Sequence, residues 1–558
     1  MDPENPLTPV VQALMRELQE SRARIEALLQ GLEKSDETIR LLKRRLYAAK
    51  RERFTQDPPG QQSLFGQTGS GDESSQAAEA CGEDDSQDGE STSQRERRRR
   101  SHRRLKVAMD ELRHETIEHR LEGEARNCPC CGCQRKEFGL RVSRQIEIEP
   151  ARIYVREDKT YSYSCPSCRS GVPVVKTANP PSVLSKGIFG PSVAALVVEM
   201  KYARHLPLYR QQEMLLGPLR QWVSRPHLCN LVRRVAMGLK PLADLILARI
   251  RSGSLLHLDE TTIRMLVEGR DKAVTAYLWG YHGGLDQPYV YFDFRPGRGR
   301  DGPAEILGDY RGFILTDGYE VYHALARQWP DLLVHACCWA HVRREFVDAG
   351  AVTSDPLVPG ILALIQRLYD LEDQSRDWSP EARLDLRKRE SAPLVARIKV
   401  RLEEAMAALR PTSKLHQAVQ YTLNRWRELG VFLTDGRVPI DNTLLERNFK
   451  AVAAGRKNYL FLGRETAGPT TAILYTIVRN AANHSLDIRA YLQDLLVKVP
   501  ALVEKGLPLD ELLPDRWALA NPKKVLLNRD IENRQARQRK ASKRIKRRTV
   551  YACYSEGF

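Results

Sequence analysis

The sequence of 558 residues lacks any run of about 18–20 uncharged apolar residues, the length that a membrane-spanning helix needs. Its start, MDPENPLTPV, lacks the basic and apolar segments that mark a secretory signal. We therefore expect a cytoplasmic protein without a membrane partner, in a compartment where thiols stay reduced. A hydrophobic content of 42% and a charged content of 28% exclude the fibrous and wholly disordered classes.

Acidic residues are in deficit, because 71 Asp and Glu face 88 Lys and Arg, for a formal net charge of +17. Two short segments carry most of the surplus. Residues 95–106 hold eight bases and one acid, and residues 534–548 hold nine bases and no acid. The surplus predicts a polyanionic partner, most simply nucleic acid, bound in a salt-dependent way through these two runs.

The first 54 residues have the spacing of a coiled coil. From Val11 to Leu46, nine of the eleven a and d positions are apolar. We interpret residues 1–54 as a leucine zipper that pairs two chains, although one amphipathic helix on the protein's own core fits the same pattern. Residues 55–106 are predicted to be a disordered acidic linker that ends in the first basic run.

Six of the eleven cysteines fall in two clusters, CPCCGC at 128–133 and CPSC at 165–168. Each cluster contains a C-P-x-C step, and two such steps supply the four thiolates that structural zinc prefers. The predicted zinc ligands are Cys128, Cys131, Cys165 and Cys168. Cys130 and Cys133 are a competing pair in the first cluster. Alternating segments between the clusters indicate strands, so residues 107–178 are predicted to form a zinc ribbon.

Residues 179–250 are predicted to contain three helices, at 191–202, 208–216 and 226–239, with Ser224 as the N-cap of the third. Their short turns are typical of a helix-turn-helix DNA-binding segment, although an ordinary helical connector fits as well. The third helix would present polar side chains to DNA. These are Arg225, His227, Asn230, Arg233 and Arg234.

From residue 255 the pattern changes to apolar strands. We predict strands at 255–261, 276–281, 289–294, 312–317 and 332–336, a short helix at 303–307 and another helix from about 338 to 346. This order is that of a ribonuclease-H-like fold, in which the first and fourth strands are neighbours. Asp259 and Asp317, placed at or near the ends of those strands, are therefore expected to lie close together.

Adjacent carboxylates repel each other unless a cation lies between them, and oxygen ligands suit Mg²⁺ or Mn²⁺. Phosphoryl transfer with two metal ions uses a third carboxylate, for which the candidate is Glu446, on a helix that Asn442 could cap. The basic residues after Glu446 suit a phosphate backbone. They are Arg447, Lys450, Arg456 and Lys457. Acids at strand ends also form caps and turns, so spacing alone leaves the catalytic interpretation open.

Three nearby residues carry open alternatives. Glu260 rivals Asp259, since either could reach a metal. Cys338 and His341 are spaced like metal ligands, but two ligands do not make a site. A packed helix start, a DNA contact and a metal role all remain possible for this pair.

Six ordered motifs closely resemble those of the insertion-sequence sixty-six family of transposases (TnpC-type DDE transposases). They are KYARHLPLYR at 201–210, LDET at 258–261, TDGY at 316–319, CWAHVRREF at 338–346, DNTLLER at 441–447 and GRKNYLFLG at 455–463. The resemblance implies a catalytic triad of Asp259, Asp317 and Glu446, with Glu260 outside it. It also implies a helical insertion at about 350–430 and accessory proteins encoded by the same element.

These inferences predict a multidomain α/β protein. The predicted order is coiled coil (1–54), linker (55–106), zinc ribbon (107–178), helix-turn-helix-like segment (179–250), ribonuclease-H-like catalytic domain with the helical insertion (251–500) and C-terminal extension with a basic tail (501–558). The expected cofactors are two Mg²⁺ or Mn²⁺ per active site and structural Zn²⁺.

The expected activity is that of a bacterial, nucleoid-associated DNA transposase. It would bind the terminal inverted repeats of an insertion sequence, cut there and join the freed ends to target DNA. The expected partners are double-stranded DNA and a second copy of the chain. The alternatives are a DNA-binding regulator with a silent nuclease domain and a structure-specific nuclease of the same fold.

Overall fold

A computed structural model describes residues 19–22, 24, 162–163, 175–176, 183–184, 189–214 and 224–526. Those from 162 onward belong to one compact unit. Within the predicted coiled coil, residues 19–22 and 24 are helical, and pairing of the zipper stays a prediction. The predicted linker, the six clustered cysteines and both basic runs lie outside the described residues. No helix in the described ranges is long and apolar enough to cross a membrane.

Two short strands, β1 (Ser162–Tyr163) and β2 (Val175–Lys176), pair antiparallel, with Ser162 opposite Lys176. In sequence they flank the second predicted zinc step, at residues 165–168. A strand pair on either side of such a step is consistent with the predicted ribbon.

Three helices follow. α1 (Pro191–Tyr202) has the predicted bounds, and α2 (Leu208–Met214) begins at the predicted residue. α3 (Arg225–Arg251) has Ser224 as its N-cap, as expected, but it starts one residue before the predicted start and runs for 27 residues. The prediction that it ends at residue 239 is wrong, because its buried apolar face continues through residues 242–250. α3 is therefore a long core helix, with exposed polar side chains in its first turns.

The main sheet has five strands in the order β5–β4–β3–β6–β7. They are β3 (Leu255–Met265), β4 (Val274–Gly283), β5 (Gln287–Arg295), β6 (Gly312–Thr316) and β7 (Leu333–Cys337). β3, β4 and β5 pair antiparallel, whereas β6 is parallel to both β3 and β7. The first and fourth predicted strands are thus neighbours, as expected.

β3 is longer than predicted. It continues for six residues beyond Asp259, so that Asp259 and Glu260 lie in its middle and not at its end. The reason is pairing with β4, which covers His257 to Met265, whereas β6 pairs only with residues 255–257. Asp259 therefore lies where the parallel pairing stops.

Helices cover both faces of the sheet. Two helices run between the strands, α4 (Asp301–Leu307) and α5 (Glu320–Gln328), and α6 (Trp339–Ala349) follows the last strand, β7. Leu256 and Ile314 belong to one buried apolar core, while their sequence neighbours Leu255 and Leu315 belong to a second. Alternate residues of the central strands therefore anchor two cores on opposite faces.

The second core is built mainly by the segment between α6 and residue 440. It contains α7 (Leu357–Gln374), α8 (Pro380–Leu386), a π-helical turn (Arg387–Ser391), α9 (Ala392–Ala408), α10 (Lys414–Leu423) and α11 (Trp426–Leu429). Trp339 of α6 donates its indole N–H to the carbonyl of Leu429 at 2.9 Å. This contact joins the helical segment to α6, which directly follows β7.

The chain then returns to the sheet. α12 (Thr443–Tyr459) packs on β3 and β4, and α13 (Ala467–Asn483) packs on β5. α14 (Ile488–Glu504) and α15 (Pro514–Ala520) complete the first core.

Arg387 holds the helical segment together. It is 1% exposed, and its guanidinium pairs with Glu372 at 2.6 and 2.7 Å. It also donates to the carbonyls of Phe432, Asp435 and Val438 at 2.7–2.9 Å. One buried guanidinium thus donates hydrogen bonds to one carboxylate and three backbone carbonyls, and so links two parts of the segment.

We expect Arg387→Ala to lower the free energy of unfolding by about 3–5 kcal/mol, because it leaves the Glu372 carboxylate buried without its cation. Urea denaturation followed by tryptophan fluorescence measures this loss. Arg389→Ala, an exposed position in the same turn, is the control and should change stability by less than about 0.5 kcal/mol. Equal effects of the two substitutions would contradict this role of Arg387.

Candidate active site

The parallel pairing of β3 and β6 places two acids side by side. Its last pair is His257 with Leu315, and Asp259 and Asp317 each follow two residues later. Because side chains alternate along a strand, both acids continue the face of Leu255 and Leu315. They therefore lie at the same level of two neighbouring strands, at the point where the strands diverge.

Glu446 reaches this level in the first turn of α12. Asn442, buried just before that helix, fixes its start. Its side-chain amide donates to the carbonyl of Leu258 at 2.9 Å, and its side-chain oxygen lies 2.9 Å from Nδ1 of His257. The expectation that its side chain caps the helix is wrong, because both side-chain atoms bond to β3 instead. Asn442 thereby ties the Glu446 helix to the residue before Asp259.

Gly280 lets α12 approach the sheet. It lies directly opposite Asp259 on β4. A Cβ at this position would come within 2.7 Å of the Phe449 ring and 3.1 Å of Leu445, both on α12. A larger residue would push the helix outward, and overpacking of this kind typically costs about 1–3 kcal/mol. The close approach keeps Glu446 beside Asp259.

The acids influence one another electrostatically. The pKa of Asp259 is raised well above its ordinary value, chiefly by burial and then by the negative charges of Asp317, Glu260 and Glu446. A hydrogen bond from the backbone N–H of Glu260 at 2.8 Å opposes the shift only in part. Asp259 on β3, Asp317 after β6 and Glu446 on α12 therefore form one acid cluster, in which the other two charges act on Asp259.

The turn that carries Asp317 is held from the helical segment. Gly318 has φ +83°, a left-handed conformation that glycine tolerates. Arg425 donates to its carbonyl at 3.0 Å, and the Tyr421 hydroxyl donates to the carbonyl of Asp317 at 2.7 Å. The Asp317 carboxylate itself accepts from the N–H of Tyr319 at 2.9 Å. The helical segment thus fixes the backbone of one of the three acids.

Glu260 lies outside the cluster, on the opposite face of β3. Its carboxylate accepts from Nε of Arg298 at 2.8 Å and from the hydroxyl of Tyr322 at 2.7 Å. The negative charge of Glu260 is therefore neutralised by the basic Arg298. Of the two consecutive acids, Asp259 faces the other carboxylates.

The sequence alone leaves the roles of Cys338 and His341 undecided. In the structure both residues lie beside Glu446. One ligand atom of each of the three residues lies within 4.8 Å of the other two. Nδ1 of His341 is 3.9 Å from Oε1 of Glu446, and both atoms are buried without a hydrogen-bond partner in the described part of the chain. The other oxygen of Glu446 lies 3.6 Å from the guanidinium of Arg344. Burial and then the Arg344 charge lower the pKa of His341.

The predicted DNA-contacting residues divide between two helices. On α12, Arg447, Lys450 and Lys457 are exposed, whereas Arg456 turns inward to the hydroxyl of Thr261 at 2.9 Å.

On α3, the five residues that the sequence predicts to contact DNA lie in the first three turns. Arg225, His227, Asn230 and Arg233 are exposed, and Arg234 is half-buried. His227 also accepts from the N–H of Ser224 at 3.4 Å as part of the helix cap. These positions permit DNA contact, which stays a prediction.

Sequence reasoning missed the residues that position the acids. Asn442 stands next to Asp441 in the DNTLLER motif, but nothing local signals that its side chain reaches β3. Gly280 lies within a predicted strand, where a glycine signals a close backbone approach, and this signal could have been used. The contacts of Tyr421 and Arg425 span more than 100 residues and leave no trace in local sequence.

Comparison with known proteins defines the class. A model described as "Transposase IS66 family" matches residues 186–470, which include the three acids. A second, "zinc-finger binding domain of transposase IS66", matches residues 125–169, which include the four predicted zinc ligands and support structural zinc. The chain is thus of the transposase class, and it belongs to the IS66 family.

Three proteins of Sinorhizobium fredii are similar to this chain. The uncharacterized protein y4jD is 33% identical, over 71% of this chain and 79% of its own length. The uncharacterized proteins y4qI and y4hP are 31% and 29% identical, over 71% and 72% of this chain and 74% and 75% of their own lengths. The similarity therefore extends over most of each protein.

The raised pKa of Asp259 predicts a stability that depends on pH. The unfolded chain releases this proton near pH 4, whereas the folded protein retains it to higher pH. Stability is therefore lost as pH rises above about 4, since the ionised acid disfavours the folded state. We expect Asp259→Asn to raise the unfolding temperature of the metal-free protein at pH 7.5, with the gain disappearing below about pH 4.

Differential scanning fluorimetry across pH measures this effect, at roughly 2–4 °C per kcal/mol gained. Asp271→Asn, in an exposed loop between β3 and β4, is the control and should change nothing. An Asp259→Asn protein no more stable than the wild type at pH 7.5 would show that the folded protein does not raise the pKa of Asp259.

Proposed function

We propose that this chain is a DNA transposase that binds the terminal inverted repeats of an insertion sequence and catalyses Mg²⁺-dependent strand cleavage and strand transfer with a DDE triad. One observation carries the proposal: Asp259, Asp317 and Glu446 come from three separate parts of the chain, brought together by the β3–β6 register and by the contact of Asn442 with β3, so that Asp317 and Glu446 both help to raise the pKa of Asp259. Family membership supports the same activity.

The cluster fits divalent cations. Three carboxylates without a cation between them are costly, and one buried oxygen of Glu446 has no hydrogen-bond partner within the ranges that the structure describes. Hard oxygen ligands suit Mg²⁺ or Mn²⁺, and a pair of such ions suits an in-line displacement at phosphorus. Asp259 on β3 and Asp317 directly after β6, with Glu446 on α12, would hold the two ions.

When bound, the ions would neutralise charge on the scissile phosphate and increase the nucleophilicity of the attacking oxygen. The residues of this chain would fix the geometry. The sheet sets the spacing of Asp259 and Asp317, and Asn442 sets the position of Glu446. Water would attack at the element's end, and the freed 3′-hydroxyl would then attack target DNA directly. Neither step requires a covalent bond between protein and DNA.

Several surfaces would bind DNA. The exposed cations Arg447, Lys450 and Lys457 on α12 would contact the phosphate backbone near the acids. The exposed side chains at the start of α3, together with the zinc-finger domain, would read the terminal repeats. The basic runs at 95–106 and 534–548 would add salt-dependent, non-specific affinity for DNA.

Protein partners would complete the assembly. Pairing of residues 1–54 would bring two element ends together in a homodimer. Accessory proteins encoded by the same element would assist at the nucleoid.

Replacing Asp259, Asp317 or Glu446 by Ala should lower cleavage and joining by at least about 10³-fold, because each carboxylate would hold an ion. Binding of the terminal repeats should be unchanged, since the proposal assigns repeat reading to the start of α3 and the zinc-finger domain and not to the acids. A strand-transfer assay and a gel-shift assay on the same preparations separate the two activities.

Glu320→Ala is the matched control, an exposed acid three residues after Asp317, and it should retain both activities. Strand joining by the Asp317→Ala protein would rule out the proposed mechanism. Cleavage by the wild type without any joining would favour a nuclease instead.

Changing the nine Lys and Arg of residues 534–548 to Gln should reduce the salt dependence of DNA affinity. For every phosphate that the variant no longer neutralises, the slope of log K against log salt should become shallower by about 0.9. Fluorescence anisotropy at several salt concentrations, with terminal-repeat and random DNA, measures the slope. The preference for terminal repeats should persist. An unchanged slope would show that this run does not contact DNA.

A further inference from the structure

The strongest unexplained feature of the site is a pair of buried polar atoms that face each other without bonding. Nδ1 of His341 and Oε1 of Glu446 lie 3.9 Å apart. Neither has a hydrogen-bond partner among the described residues. Leaving such atoms unsatisfied costs about 1–3 kcal/mol each, so a native protein normally places something between them.

The separation is too long for a proton shared between the two atoms, since N–H···O hydrogen bonds span about 2.7–3.2 Å. It suits an ion that both atoms ligate. With ligand distances of about 2.0–2.2 Å to each atom, a nitrogen and an oxygen on opposite sides of an ion lie about 4.0–4.4 Å apart, close to the 3.9 Å that separates these two atoms. The gap therefore has the dimensions of a divalent cation site.

The neighbouring groups limit the choice of ligands. Sγ of Cys338 already accepts a hydrogen bond from the backbone N–H of Asn442 at 3.2 Å. The second oxygen of Glu446 is directed toward Arg344, at 3.6 Å. The lone pair of His341 and one oxygen of Glu446 are thus the two atoms left to bind an ion.

We propose that His341 is a ligand of one of the two divalent ions, bound through Nδ1 beside Glu446. The inference rests on the proposed function, because it assumes that the acid cluster holds divalent ions. It makes the two ion positions unequal, since one has a nitrogen ligand and the other has only oxygens. Imidazole binds Mn²⁺ more readily than Mg²⁺, so the position beside Glu446 should prefer Mn²⁺.

The test uses Mn²⁺ and the full-length, zinc-loaded protein without DNA. Pulsed electron paramagnetic resonance detects the nuclear spin of a nitrogen bound directly to Mn²⁺. We expect a ¹⁴N coupling in the wild type that changes to the ¹⁵N pattern when histidine alone is ¹⁵N-labelled. Because this measurement needs no variant, it decides the proposal even if substitutions at His341 prevent folding. Bound Mn²⁺ without a histidine nitrogen coupling would overturn the inference.

Substitutions then identify the histidine that supplies the nitrogen bound to Mn²⁺. His341→Ala should remove the coupling and weaken Mn²⁺ binding about tenfold or more. His484→Ala is the control, because that half-buried imidazole bonds to the carbonyl of Asn480, at 2.9 Å, and stacks on Tyr289. It should keep both the coupling and the affinity. A coupling that survives His341→Ala would overturn the assignment.

Glu446→Gln separates this inference from the proposed function. If Glu446→Gln weakens Mn²⁺ binding while His341→Ala does not, the acid cluster binds the ion without His341. The proposed function then stands and the inference is wrong. If the wild type binds no Mn²⁺ at all, or Glu446→Gln leaves binding unchanged, the metal site of the proposed function fails and the inference fails with it.

Discussion

Three carboxylates that repel one another set the main physical constraint on this protein. Burial and then the negative charges of Asp317 and Glu446 raise the pKa of Asp259, so the surrounding structure has to hold the three side chains together. The parallel pairing of β3 and β6 fixes the first two at one level. Asn442 and Gly280 hold the third against them, one through hydrogen bonds to β3 and the other by leaving room for α12. Holding these acids together lowers the stability of the folded protein at the site where the proposed activity needs their charge. Many enzymes show the same exchange of stability for function.

The helical segment between α6 and α12 serves this arrangement as well. It builds most of the second core, contains the buried Arg387, and contacts the turn after β6 through Tyr421 and Arg425. On the other face of β3, Arg298 and Tyr322 neutralise Glu260. Two consecutive acids thus receive opposite environments, and only Asp259 is left facing the other carboxylates. The alternation of side chains along a strand produces this selection.

Much of this architecture could be predicted from the sequence. The features that could not be predicted share one cause, because each depends on a partner that is distant along the chain. The bounds of α1, the N-cap of α3 and the adjacency of the first and fourth strands follow from local patterns and strand order. The true lengths of α3 and β3 do not, because each is extended by the partner it packs or pairs with. The role of Asn442 depends on a β3 carbonyl 184 residues away. Motif resemblance indicated the three acids, but the contacts that hold them exist only in three dimensions.

The central claim is that the acid cluster holds divalent cations where DNA strands are cut and joined. The most direct measurement is the anomalous scattering of Mn²⁺ in crystals of the protein bound to terminal-repeat DNA. The account predicts two Mn²⁺ peaks among the carboxylates of Asp259, Asp317 and Glu446, with the phosphate of the element's end between them. A map with Mn²⁺ bound elsewhere, or with the phosphate away from the three acids, would contradict it.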